Sequence, residues 1–129
     1  MPALNRVQLI GYLGKDPESR FIPTGKKVAN FSLAVTRHWK SGTEAREHTE
    51  WVNIEAWERL AEIAEQYLHK GSLVYLEGRL KTDKYEDKEK GETKYFTKVT
   101  ALAIQLLDRK GVEEPAMTVE EEEAEYEAE

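Results

Sequence analysis

Cysteine is absent from the 129 residues. That excludes a disulfide framework, a thiolate metal site and a cysteine nucleophile, and leaves burial of an apolar core as the source of stability. Long apolar runs are lacking too. No stretch approaches the roughly 20 consecutive apolar residues needed to span a bilayer. The opening Met1-Pro2-Ala3-Leu4-Asn5-Arg6 carries no apolar core of the signal-peptide kind. The expected location is therefore the cytoplasm, with no membrane partner. Enzyme signatures are missing as well. Gly25-Lys26 has neither the upstream glycine nor the following Ser or Thr of a phosphate-binding loop, and His38, His48 and His69 lack metal-ligand spacing. The acids between Asp83 and Glu92 do not have the spacing of a calcium loop. Asn30-Phe31-Ser32 matches a glycosylation acceptor, but it falls in an alternating, strand-like stretch. The expectation is a non-catalytic protein with no metal and no other cofactor.

Positive charge is missing from one region only. Residues 113–129 hold nine Glu and no Lys or Arg, so residues 1–112 keep 19 basic and 16 acidic side chains, a net of +3 within a chain of net −6. The length suits one ordinary domain and excludes two. The expected division is a domain over residues 1–110 and a disordered Glu-rich tail over 111–129, because the tail has too few large apolar groups to offset the entropy of ordering.

What is present is alternation. Over 4–13, Val7, Leu9, Gly11 and Leu13 share one face and Arg6 and Gln8 the other, the period of a half-buried strand. A second strand from Val28 to about Arg37 turns Ala29, Phe31, Leu33 and Val35 to one side. A polar loop containing Ser41-Gly42 leads to a third, Thr49 to Ala56, with Val52, Ile54 and Ala56 inward and Trp51, Asn53, Glu55 and Trp57 on the opposite face. Between Glu58 and about His69 the period becomes helical: Leu60, Ile63, Ala64 and Tyr67 fall at i, i+3, i+4 and i+7, with Gly71 placed to end the helix in the left-handed conformation. A fourth strand, Ser72 to about Lys84, buries Val74, Leu76 and Leu80. A fifth, roughly Thr93 to Leu107, alternates ambiguously enough to predict a bulge or burial on both sides. Three strands, a helix and two strands, with long hairpins after the second and fourth, give the plan of a mainly β, five-stranded OB-fold barrel with one α-helix between its third and fourth strands.

Two aromatic residues sit on a polar face. Trp51 and Trp57 share theirs with Asn53 and Glu55, polar groups a core does not accept unpaired, while the reverse face already supplies the core residues. Tyr85 shares parity with Arg79 and Lys81, giving a basic and aromatic strip able to stack bases and neutralise phosphates. Trp39 has the parity of Leu33 and Val35, so only a bulge or turn near Arg37-His38 brings it to the Trp51 face; parity leaves the matter open. Arg6, Arg20, Lys26, Lys27, Arg37, Lys40, Lys70, Lys81, Lys84 and Lys98 are spread along the body. Together with the aromatic face they favour a nucleic-acid groove. Two other readings fit the same residues: a sequence-tolerant single-stranded RNA-binding barrel, since stacking does not read the 2′-hydroxyl, and a protein adaptor whose exposed Trp residues form an interface.

The short segments Asn5-Arg6-Val7-Gln8-Leu9-Ile10-Gly11, Asp16-Pro17-Glu18, Pro23-Thr24-Gly25, Val28-Ala29-Asn30-Phe31, Thr49-Glu50-Trp51, Lys70-Gly71-Ser72 and Glu77-Gly78-Arg79-Leu80, with Thr82, resemble bacterial single-stranded DNA-binding protein. The resemblance runs in order over about residues 4–107. It implies a homotetramer of barrels that binds and protects single-stranded DNA during replication, recombination and repair. Transferred position by position, it puts base-stacking aromatics at Trp39, Trp51, Trp57 and Tyr85 and backbone contacts near Arg6, Arg20, Lys40, Lys70, Lys81 and Lys84. Asp83 departs from it, standing where relatives often carry a basic residue, which implies a weaker stretch of groove. The chain also lacks the Pro-Phe acidic tip through which family members often dock replication and repair proteins, and that puts recruitment of those partners in doubt.

Overall fold

Strands form wherever the two-residue alternation runs. In the computed structural model, which describes residues 2–108 and 117–118, they are β1 (Val7–Leu13), β2 (Glu18–Phe21), β3 (Lys27–Ser41), β4 (Glu44–Trp57), β5 (Leu73–Asp87), β6 (Glu92–Leu106) and β7 (Met117–Thr118), with the helix α1 (Arg59–Tyr67) between β4 and β5. The sheet order β1-β5-β6-β4-β3 closes on itself, because β3 returns to β1 through Tyr12↔Ala34 and Leu13↔Leu33. Every pairing in this ring is antiparallel except β4 with β6, which meet in parallel at Ile54↔Val99 and Glu55↔Thr100. The mainly β five-stranded OB-fold barrel with its single helix is therefore present. Two short strands lie outside the ring: β2 on β3 over residues 27–30, and β7 on β6 at Ala103 and Ile104. Apart from β7, the tail expected over 111–129 lies outside the described residues.

The core follows the inward parity. Leu33, Ile54, Val74, Leu76, Val99 and Ile104 fill the barrel, and α1 packs against it through Leu60, Ala61, Ile63 and Ala64, all buried. The helix is shorter than its periodicity predicts. It begins after Glu58 and stops at Tyr67, with Leu68 already extended. Gly71 does adopt a left-handed φ of 91°, but in the following link, where its N–H donates to the Leu13 carbonyl at 2.9 Å. The glycine thus closes a turn against β1 and does not cap the helix.

Two expectations fail at the arms. The long hairpin expected after the second strand is present, but its polar stretch around Ser41-Gly42, read as loop, is paired strand, with β3 and β4 in continuous register from Val28↔Trp57 to Ser41↔Glu44. Polar residues on both faces read as loop, yet cross-strand pairs such as the Thr36 and Thr49 hydroxyls, 2.8 Å apart, hold the ribbon together. Leu80, expected in the core, is 52% exposed. By residue 80 the β5–β6 arm is leaving the barrel, so inward parity no longer means burial. Of the two alternatives expected for the fifth barrel strand, a bulge or burial on both sides, the bulge is there: register steps from Glu77↔Ala103 to Gly78↔Ala101, leaving Leu102 as the extra residue of β6.

Candidate nucleic-acid interface

Continuous register between β3 and β4 fixes which side chains share the outer face. Trp51, Asn53, Glu55 and Trp57 lie opposite Ala34, Ser32, Asn30 and Val28. Closure of the barrel extends these rows, giving Tyr12, Ala34 and Trp51 in one and Arg20, Val28 and Trp57 in another. Trp51 is 61% exposed. Its ring lies over Gly14, where a Cβ would come within 2.5 Å of the indole, so the missing side chain is what seats the ring. Trp57 is half-buried, and its Nε1–H donates to Glu55 Oε1 at 2.6 Å.

Glu55 faces outward but is only 4% exposed. It is covered by a small ion cluster: Lys98 Nζ pairs with Glu55 and, at 2.7 Å, with Asp83, and Lys81 Nζ lies 4.0 Å from Glu55. The Lys98 ammonium holds the Asp83 carboxyl below the usual aspartate range. Burial pulls Lys98 down, but its hydrogen bonds to Asp83 and Glu55 outweigh that and raise it above an ordinary lysine. Beside this cluster is a cleft of about 310 Å³, lined by Asn30, Ser32, Asn53, Phe96 and Lys98 together with Lys15, Asp16 and Glu18 from the β1–β2 link. Two amides, one hydroxyl, the rings of Phe31 and Phe96 and two ammonium groups can hold a base and its phosphate, although Asp16 and Glu18 offset the positive charge. Among the described residues, no group of three or more His, Asp or Glu is arranged to hold a metal ion. No helix among those residues is long and apolar enough to cross a membrane.

The expected site residues divide between faces. Lys81 and Tyr85 share a face of the β5–β6 arm with Asp83, Phe96 and Lys98, whereas Lys84, opposite Tyr95, is on the reverse face. On the β3–β4 arm, Lys40 follows the parity of Trp51. Trp39 does not, because no bulge interrupts the register; it stands 38% exposed on the reverse face with the Arg37 guanidinium 4.7 Å from its ring centre. Arg20 belongs to the row of Trp57. Arg6 is exposed on the β1 side, 3.6 Å from Glu77. Lys70 lies in the link that docks on the β1–β2 turn, its N–H donating to Asp16 Oδ1 at 2.8 Å.

Two outer-face aromatics were not foreseen, Tyr12 and Phe96, both exposed. Tyr12 has the parity of Arg6 and Gln8, a signal legible in the sequence. Phe96 is obscured by the bulge at Leu102, which shifts the alternation of β6.

Residues 4–107 match the model of the single-strand binding protein family. The chain is 46% identical over 108 residues to single-stranded DNA-binding protein 1 of Chlorobaculum tepidum, a match covering 83% of this chain and 67% of that one. It is 53% identical over 88 residues to the single-stranded DNA-binding protein of Neisseria meningitidis, covering 67% of this chain and 51% of the relative. The chain thus spans between half and two-thirds of the length of these relatives. Among solved structures, a Plasmodium falciparum SSB in complex with ssDNA superposes with a TM-score of 0.74 at 29% identity, covering 84% of this chain and 98% of the other. Closed barrel, outer aromatic face and matched sequence agree, and the chain belongs to the single-strand binding protein family.

Proposed function

We propose that this protein binds single-stranded DNA with little sequence preference and protects it during replication, recombination and repair in the cytoplasm. The observation that carries the reading is Trp51, an indole left open to solvent on Gly14, opposite Ala34 and flanked on the same face by Thr49, Asn53, Ser32 and Thr36. Every base has a π-face, so such a ring accepts any of them. Trp39, Trp51, Trp57 and Tyr85 are the proposed stacking residues, with Arg6, Arg20, Lys40, Lys70, Lys81 and Lys84 neutralising phosphates. Trp39 and Lys84 lie on the reverse faces of their arms, so they take part where a strand passes around an arm. A homotetramer fits this reading. Residues 7–11 of β1 are paired on one edge only, and Ile10 and Tyr12 stand exposed beside that edge. Joining several barrels raises affinity through effective concentration.

Titration of the protein with oligo-dT and oligo-U of increasing length, read by Trp emission, tests the proposal. Quenching by oligo-dT is expected. Tighter binding of oligo-U moves the reading to RNA, and no quenching by either polymer overturns it.

A further inference from the structure

The cluster under the groove contains as many carboxylates as ammonium groups: Lys81 and Lys98 against Glu55 and Asp83. As it stands, these two lysines bring no net charge to a polyanion. Lys98 lines the cleft but has its ammonium already occupied on two sides. The two carboxylates differ in their freedom to leave. Glu55 is 4% exposed and also accepts the Trp57 indole N–H, so it is fixed. Asp83 has a side chain 43% exposed and stands on a two-stranded arm beyond the barrel, where a change of rotamer takes it into water.

We propose that Asp83 occupies a phosphate position on Lys98, and that single-stranded DNA binds there by displacing it, a backbone phosphate taking the place of the carboxylate while Glu55 holds the ammonium in position. The proposal rests on the single-stranded DNA reading above. Exchange of one anion for another opposes binding by the strength of the Lys98–Asp83 pair, which is partly exposed and modest. It also changes the salt response. With Asp83 present, a phosphate arriving on Lys98 adds little net neutralisation; without Asp83, the same contact neutralises one more phosphate, each worth a slope of about −0.7 in log K against log salt on single strands.

The experiment compares the unaltered protein with Asp83→Asn and with Glu86→Gln, which removes the same charge from the opposite face of the same strand. All three are titrated with oligo-dT across a salt series. Asp83→Asn is expected to bind about three- to tenfold tighter at low salt, with a slope steeper by about 0.7, the advantage shrinking as salt rises. Glu86→Gln is expected to stay within about twofold of the unaltered protein, since charge apart from the contact acts only through the general field. If the unaltered protein binds and Asp83→Asn matches it, or both variants shift alike, the displacement is overturned and DNA binding stands. If the unaltered protein does not bind oligo-dT at all, the functional reading falls and takes this inference with it.

Discussion

An exposed indole is a liability in water unless something flat covers it. Trp51 is 61% exposed and lies over Gly14 outside the barrel core, so its removal has little core to disturb. Trp51→Ala is expected to weaken oligonucleotide binding by about 1–3 kcal/mol, the range typical of stacking positions in proteins of this class. Its unfolding free energy should stay within about 0.5 kcal/mol; a large loss of thermal stability in a melt would return the ring to the core. Asp83 has a second, acid-sensitive consequence at the same scale. Its carboxyl is held below the ordinary aspartate range by Lys98, so the folded form binds a proton less readily than the unfolded chain. The stabilisation is complete above the ordinary range and is withdrawn as pH falls below about 4 towards the lower folded value. Melts of Asp83→Asn should therefore show a shallower loss of stability on acidification than the unaltered protein.

Among the elements, the junction of β4 and α1 carries the strain. Glu58 has φ 56° and ψ −118°, the one described non-glycine residue at positive φ. Its N–H donates to the Lys27 carbonyl at 2.8 Å and its own carbonyl accepts from Glu62 N–H at 3.1 Å, so the conformation is fixed from both sides. Glycine adopts it without a Cβ clash, and Glu58→Gly is expected to stabilise the protein by about 1 kcal/mol, visible as a higher melting temperature. An unchanged or lower melting temperature would show the strain to be small. The arms pose the opposite problem. Residues 38–48 have no inward face to alternate against, and their polar composition reads as a loop, although the β3–β4 register holds them as strand.

For the whole molecule, the outer surface has two characters. The face of Trp51, Trp57 and the cleft is polar and aromatic, whereas the β1 side exposes Ile10 and Tyr12 along an edge paired only with β5 over residues 7–11. If this side joins protomers, Ile10→Arg should lower the sedimenting mass towards the 14.9 kDa of a single chain while circular dichroism stays unchanged. An assembly that keeps its mass would place the contact elsewhere. Dispersed protomers should also lose affinity for long oligonucleotides more than for short ones, because linkage, not the single groove, supplies the difference.

The sequence by itself determined whatever depends on a local period. Inward and outward faces of β1, β3 and β4, the helix over Leu60 to Tyr67, the outward placement of Trp51 and Trp57 and the net charge of +3 over residues 1–112 follow from spacing and composition alone. The tertiary structure decided whatever depends on residues distant in sequence. Closure of β1 on β3 put Tyr12 in the row of Trp51, departure of the β5–β6 arm left Leu80 in solvent, and the parallel meeting of β4 and β6 brought Lys98 onto Glu55. Alternation is set by the chirality and pleat of a few neighbouring peptides, and so can be read along the chain. Which strand lies beside which, and where a strand passes beyond the shelter of the barrel, is set only when the non-local contacts form together.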